Sequence, residues 1–79
     1  MFRVYILYSK SLRKYYVGQT QDLDRRIEEH NRGKTSFTAK GVPWEITWTN
    51  EYASRSEAMA MEKRIKSRGA GRFLSEQQA

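Results

Sequence analysis

The sequence predicts a small α/β protein of the α+β kind: a three-stranded antiparallel sheet flanked by helices, in the order β-β-α-β-α. Three observations carry this. Two apolar, aromatic-rich runs, Phe2–Ser9 and Tyr15–Gly18, stand either side of a short polar segment. A third alternating run, Trp44–Tyr52, follows an amphipathic stretch that begins at Asp22. The longest helical pattern then opens at a serine followed three residues later by glutamate. At 79 residues the chain has room for one domain, residues 1–79, built on one core.

In Phe2–Ser9 the side Phe2, Val4, Ile6, Tyr8 alternates with Arg3, Tyr5, Leu7, and both sides are largely apolar, as expected of a central strand covered by helices. Ser9–Lys14 is short enough for a hairpin, so Tyr15–Gly18 returns antiparallel. Tyr5 and Tyr16 would then stand opposite each other on one face, provided paired positions sum to an odd number. Asp22 suits a helix N-cap and Gly33 a C-terminal stop. At about 100° per residue, Leu23 and Ile27 define the buried stripe of this helix, and Arg26 and His30 fall within about 60° of Leu23. Taken alone, Arg26 reads equally well as a side chain snorkelling at the sheet edge, and His30 as a hydrogen-bonded packing residue.

Lys34–Pro43 is a connection with room for a turn around Phe37, made by Thr35, Ser36 and Thr38. The third strand would bury Trp44, Ile46 and Trp48 together. After the Ser54–Glu57 capping box, Ala58, Met61 and Ile65 mark an apolar helix face. Glu62 lies about 40° from Ala58, inside that stripe. An unpaired buried carboxylate costs several kcal/mol. Glu62 must therefore pair with a base such as Arg26, stay partly exposed at the sheet edge, or bind a cation. Gly69 and Gly71 are expected to end the helix, leaving room at Arg72–Gln77 for a short C-terminal helical turn that docks Phe73 and Leu74.

Composition narrows the function. The chain has no cysteine and a single histidine, which excludes disulfides, cysteine zinc sites and histidine clusters, so any metal must take oxygen ligands. There is no run of about 20 apolar residues to span a bilayer and no signal-peptide pattern, so a cytoplasmic location is expected. Fifteen Lys and Arg against nine Asp and Glu give a net charge of +6. That charge favours a polyanion, nucleic acid before anionic membrane, and its interleaving with aromatics suits a structured surface. Nothing in the chain reads as a nucleotide-cofactor fingerprint or a nucleophile triad. An exposed strand edge allows a monomer or a weak dimer.

Two tyrosines from a hairpin, an arginine and a histidine on the first helix and a glutamate on the long helix form an ordered set that resembles the GIY-YIG nuclease superfamily. The signature positions are Arg3-Val4-Tyr5 and Tyr16-Val17-Gly18. Tyr16 comes eleven positions after Tyr5, Arg26 ten further on, and His30 four after that. The resemblance runs from Phe2 to about Arg68 and is strongest to small stand-alone bacterial members consisting of the nuclease domain.

It implies divalent-metal-dependent endonuclease chemistry, the hydrolysis of a nucleic-acid phosphodiester, with DNA ahead of RNA and repair or processing as the setting. By the same resemblance, Glu62 would hold one Mg²⁺ or Mn²⁺ ion, and Tyr5 or Tyr16 would act as general base. Arg26 would stabilise the non-bridging oxygens, and His30 would orient or share a proton. Lys10, Arg13, Lys14, Arg32, Lys34, Lys63 and Lys66 are the candidate nucleic-acid-binding residues. The sequence departs from the family pattern in two ways: Arg3 replaces the first signature glycine, and no asparagine follows Asn50 among these 79 residues; no appended DNA-reading module is expected. The alternative is a non-catalytic module on the same fold that docks on nucleic acid or protein.

Overall fold

β1 (Phe2–Ser9) is the axis of the structure, a computed structural model that describes residues 1–33 and 39–77. It lies between β2 (Lys14–Thr20) and β3 (Trp44–Tyr52) in the order β2-β1-β3, antiparallel to both. Helix α1 (Leu23–Asn31) follows β2, and α2 (Arg55–Arg68) and α3 (Ala70–Gln77) follow β3. The α+β architecture is the one expected, with the final turn extended into a helix.

Both faces of β1 are covered, which is why both of its sides are apolar. On one face Val4 and Ile6 pack with Val17 and with Ala58, Ile65 and Phe73 of the last two helices. On the other, Tyr5 and Leu7 are 1% and 0% exposed, and α1 reaches Tyr5 through His30. The connection at Thr35, Ser36, Phe37 and Thr38 lies outside the described residues.

Local chemistry sets the element ends. Asp22 caps α1 by accepting from the Arg25 N–H at 3.2 Å, and Gly33, at φ +73°, donates to the His30 carbonyl beyond the last turn. Ser54 caps α2 by accepting from the Glu57 N–H at 3.2 Å, and its hydroxyl donates to Glu57 Oε1 at 3.0 Å. Gly69, at φ +94°, ends α2. Gly71 does not: it lies inside α3, because the chain restarts a helix straight after Gly69 to bury Phe73. An ion pair between Arg68 and Glu76 ties the two helices together.

Two further expectations are corrected. In α1 the buried residue is His30, while Leu23 and Ile27 are only half-buried, because the aromatic floor at Tyr5 and Tyr16 receives the C-terminal end of the helix. In β3, Trp44, Ile46 and Trp48 do not share a face. Ile6 pairs with Trp48 but Leu7 pairs with Ile46, so Thr47 is an extra residue that reverses the alternation. The Thr47 hydroxyl donates to the Ile6 carbonyl at 2.9 Å. Trp48 consequently packs on Phe73 on the α2–α3 side, Trp44 is buried beside Tyr16 on the α1 side, and Ile46 is left 46% exposed.

Candidate active site

The hairpin register places the two tyrosines. Tyr5 pairs with Gly18, and Leu7 with Tyr16. Tyr5 and Tyr16 thus share a face as expected but stand diagonally, with ring centroids 6.4 Å apart, because the hairpin turn sets a register two residues away from direct opposition. The register also explains the signature glycine. The Tyr5 ring lies over Gly18 so closely that a Cβ there would come within 2.5 Å of the Tyr5 hydroxyl oxygen. Only a glycine lets that ring lie flat across the neighbouring strand.

Helix α1 brings the next two groups onto these rings. The His30 ring stands edge-on to Tyr16 at 4.7 Å, and its Nε2 is 3.3 Å from the Tyr5 hydroxyl. One turn earlier, the Arg26 guanidinium faces the Tyr5 and Tyr16 hydroxyls closely enough to interact with both, while Glu29 holds it from behind at 3.7 Å. A guanidinium only donates, so towards Arg26 the Tyr5 oxygen is the acceptor, and its O–H can donate to Nε2 of a neutral His30 that carries its proton on Nδ1.

The electrostatics agree with this direction. Burial holds His30 below its ordinary value, and the Arg26 charge pushes the same way against Glu29. Burial raises the Tyr5 phenol above its ordinary range, with the Arg26 hydrogen bond as the main opposing influence. That hydrogen bond in turn raises the pKa of Arg26, so the guanidinium stays charged beside the phenols.

Glu62 approaches from the other layer. It sits on α2, alongside Gln19 of the edge strand β2, with its side chain 19% exposed. Its charge reaches Tyr5 and disfavours the phenolate there. Its partner is Lys66 Nζ at 2.6 Å, one turn along the same helix, and not Arg26. The sheet edge lies between Glu62 and α1, so the two resolve their charges locally, Arg26 with Glu29 and Glu62 with Lys66.

The expected nucleic-acid-binding cations divide into two groups. Lys10, Arg13 and Lys14 are exposed around the β1–β2 turn, where Lys10 reaches Glu45 at 3.5 Å. Lys63 and Lys66 flank Glu62. Arg32 is ion-paired with Glu28, and Lys34 lies outside the described residues.

One positioning residue was not legible in the sequence. The Asn31 side chain accepts from the Trp44 N–H at 2.6 Å and donates to the Trp44 carbonyl at 3.3 Å, so it closes a strand-like pair at the start of β3. An asparagine just before a helix-ending glycine reads as part of a cap, and only the fold shows its partner.

A hairpin pair of tyrosines met by an arginine and a histidine one turn apart, on a β-β-α-β-α frame, defines a nuclease-type domain, and comparison agrees: the family model described as the GIY-YIG catalytic domain matches residues 1–71, and the chain belongs to the GIY-YIG family. Domains of this family are nucleases that generally work with a divalent metal. Within it the chain is similar to a UPF0213 protein of Streptococcus pneumoniae, 40% identical over 68 residues that cover 81% of this chain and 69% of the relative. A UPF0213 protein of Halobacterium salinarum is 43% identical over 53 residues, 66% of this chain and 69% of the relative. The solution NMR structure of a UPF0213 protein from Bacillus halodurans superposes with a TM-score of 0.56 at 36% identity, covering 99% of this chain and 82% of that one. No helix among the described residues is long and apolar enough to cross a membrane.

Proposed function

We propose that this protein is an endonuclease that hydrolyses phosphodiester bonds in DNA during repair or processing, with Tyr5, Tyr16, Arg26, His30 and Glu62 as its site. The observation that carries the reading is the convergence of two tyrosine rings, the His30 imidazole and the Arg26 charge on one face of the hairpin. A structural cluster needs a hydrogen-bond partner for each phenol, but it does not need a permanent cation beside two groups whose chemistry improves on losing a proton.

In this reading one of the paired hydroxyls activates the attacking water. Tyr5 passes its proton toward His30 Nε2, and the Arg26 charge works against the burial that raises the phenol and favours its neutral form. Arg26 also meets the non-bridging phosphate oxygens as charge accumulates on them. Glu62 fits an ion of the Mg²⁺ or Mn²⁺ class. It is a hard oxygen donor, partly open to water, as an ion of that class requires of a carboxylate that would hold it. Such an ion, when bound, supplies Lewis-acid stabilisation of the leaving oxygen. Lys66 neutralises Glu62 in the free protein and must yield it when a cation arrives.

The test is cleavage of labelled duplex, nicked, flapped, branched and single-stranded DNA, and of RNA, with Mg²⁺, Mn²⁺ or chelator. Wild type should cut DNA with metal, and Glu62→Gln and Arg26→Ala should lose cutting. Glu62→Gln should keep its affinity for DNA and the salt dependence of binding. Binding without cutting across the whole panel refutes the enzyme reading and leaves a docking module on the same fold.

A further inference from the structure

A second recess opens beside the tyrosine cluster, at the end of the sheet where β1 turns into β2. It holds about 210 Å³ and is lined by Leu12, Lys14, Tyr15, Lys40 and Trp44. Its character differs from the rest of the basic surface. Leu12 is a large apolar side chain left 37% exposed on a hairpin turn, and it and the Trp44 ring both lie against Gly41. Lys14 and Lys40 are exposed at the rim, and neither has an acidic partner among the described residues.

We propose that this recess binds an unpaired nucleobase next to the scissile phosphate, with Lys14 and Lys40 holding the phosphates on either side of it; this rests on the nuclease reading above and names single-stranded or flapped DNA as the substrate class. The size fits: pockets for drug-sized ligands hold about 300–1,000 Å³, so this one takes a fragment of one planar ring system. The chemistry fits as well. An apolar slot walled by Leu12, the half-exposed Tyr15 ring and the rim of Trp44, with two ammonium groups that have no acidic partner among the described residues, matches a flat, apolar-faced ring between two anions. A base still stacked in a duplex cannot enter such a slot.

The placement links the recess to the site. Lys14 and Tyr16 are two apart on β2 and therefore point to the same face, the face that carries Tyr5 and His30. The Trp44 ring is 6.3 Å from that of Tyr16. A strand lying on this face would pass from the tyrosine and arginine cluster directly into the slot. A bound acidic peptide would satisfy the lysines but would leave the apolar slot without a flat occupant.

The experiment is equilibrium binding in chelator, so that it reads recognition whether or not the protein cuts. The probes are a labelled oligothymidylate, an abasic strand of the same length and charge, a duplex of that length, and polyglutamate. Wild type should bind oligothymidylate about tenfold more tightly than the abasic strand, the scale of one base stacked on an aromatic surface. It should also prefer oligothymidylate to the duplex. Leu12→Ser, at a half-open turn position where folding is not at stake, should shrink the base discrimination to about threefold or less and leave the salt slope unchanged. Lys14→Gln with Lys40→Gln should instead weaken both strands alike and flatten the slope of log K against log salt by about 1.4.

Equal binding of abasic and base-bearing strands, unchanged discrimination in Leu12→Ser, polyglutamate bound as tightly as DNA, or no binding to any strand would each overturn the proposal. Failure of the nuclease reading would look different: the binding pattern would hold while no substrate was cut with metal.

Discussion

Replacing Gly18 by alanine adds one methyl group, and the structure says where it goes. Its Cβ would lie 2.5 Å from the Tyr5 hydroxyl oxygen, 2.8 Å from Cζ and 3.0 Å from Cε2. The backbone accepts alanine there, since Gly18 has no positive φ. The neighbour cannot retreat: Tyr5 is 1% exposed and is held by His30 and Arg26. Overpacking of this kind costs about 1–3 kcal/mol, and pushing the ring off His30 costs about 1 kcal/mol more. Alanine regains about 0.5–1 kcal/mol of the backbone freedom that glycine loses. The net is a loss of about 1–3 kcal/mol, which at roughly 4–8 °C per kcal/mol for a domain of this size is readily seen in a thermal melt.

Tyr5→Phe supplies the internal control, because it deletes the closest of the three atoms. Gly18→Ala should cost less in that background than in wild type. At Gly71 the corresponding Cβ meets only Tyr15 Cε2 at 3.4 Å, inside a helix, so Gly71→Ala should be neutral or stabilise by up to about 1 kcal/mol. A Gly18→Ala melt within about 2 °C of wild type, or an equal cost with and without the Tyr5 hydroxyl, would refute the account of the signature glycine as space for that ring.

His30 is the only histidine, so its imidazole proton signals can be followed without ambiguity, and they should titrate below 6.5. A base whose folded pKa is lowered binds fewer protons in the folded state, so stability rises with pH up to about 6.5 and falls as pH drops below it. Urea midpoints at pH 7.5 and 5.5 should differ in that direction, and a midpoint that rises on acidification would contradict the buried neutral imidazole. At Asn31, alanine leaves the Trp44 N–H without its acceptor at 2.6 Å and should cost about 1–3 kcal/mol, whereas Asn31→Asp keeps the acceptor and should cost less. Equal losses for the two variants would show that the clamp on β3 contributes nothing.

The fold was legible because its signals are local. Alternation in β1, the Asp22 and Ser54 caps and the glycine stops at Gly33 and Gly69 all act within a few residues, and the structure has each of them in place. Which site residues come together was legible on α1, where Arg26 and His30 lie one turn apart and His30 had to face apolar surface. What could not be read was partner choice between elements. Glu62 turned to Lys66 because the edge of β2 separates it from α1, and the diagonal stagger of Tyr5 and Tyr16 depends on a turn geometry that no single residue announces. A helical wheel assigns Leu23 and Ile27 the buried role that belongs to His30, since it shows a stripe but not which end of it meets the floor.

The extra residue at Thr47 also limits how this chain can change over time. Because β3 supplies one tryptophan to each layer, Trp44 to the α1 side and Trp48 to the α2–α3 side, its reading frame matters more than its composition. Glu45, Ile46 and Thr47 are exposed, and substitutions at these positions meet little resistance from the interior. A one-residue deletion at the same place would restore a regular ladder, which looks like an improvement in strand geometry. It would also turn Trp44 toward the helix pair, uncouple Asn31 and strip one wall from the recess beside the tyrosines. The segment between the two tryptophans is therefore constrained more in length than in identity, the hydroxyl of Thr47 on the Ile6 carbonyl being the main side-chain tie, and lineages of this domain should accumulate replacements there while excluding gaps.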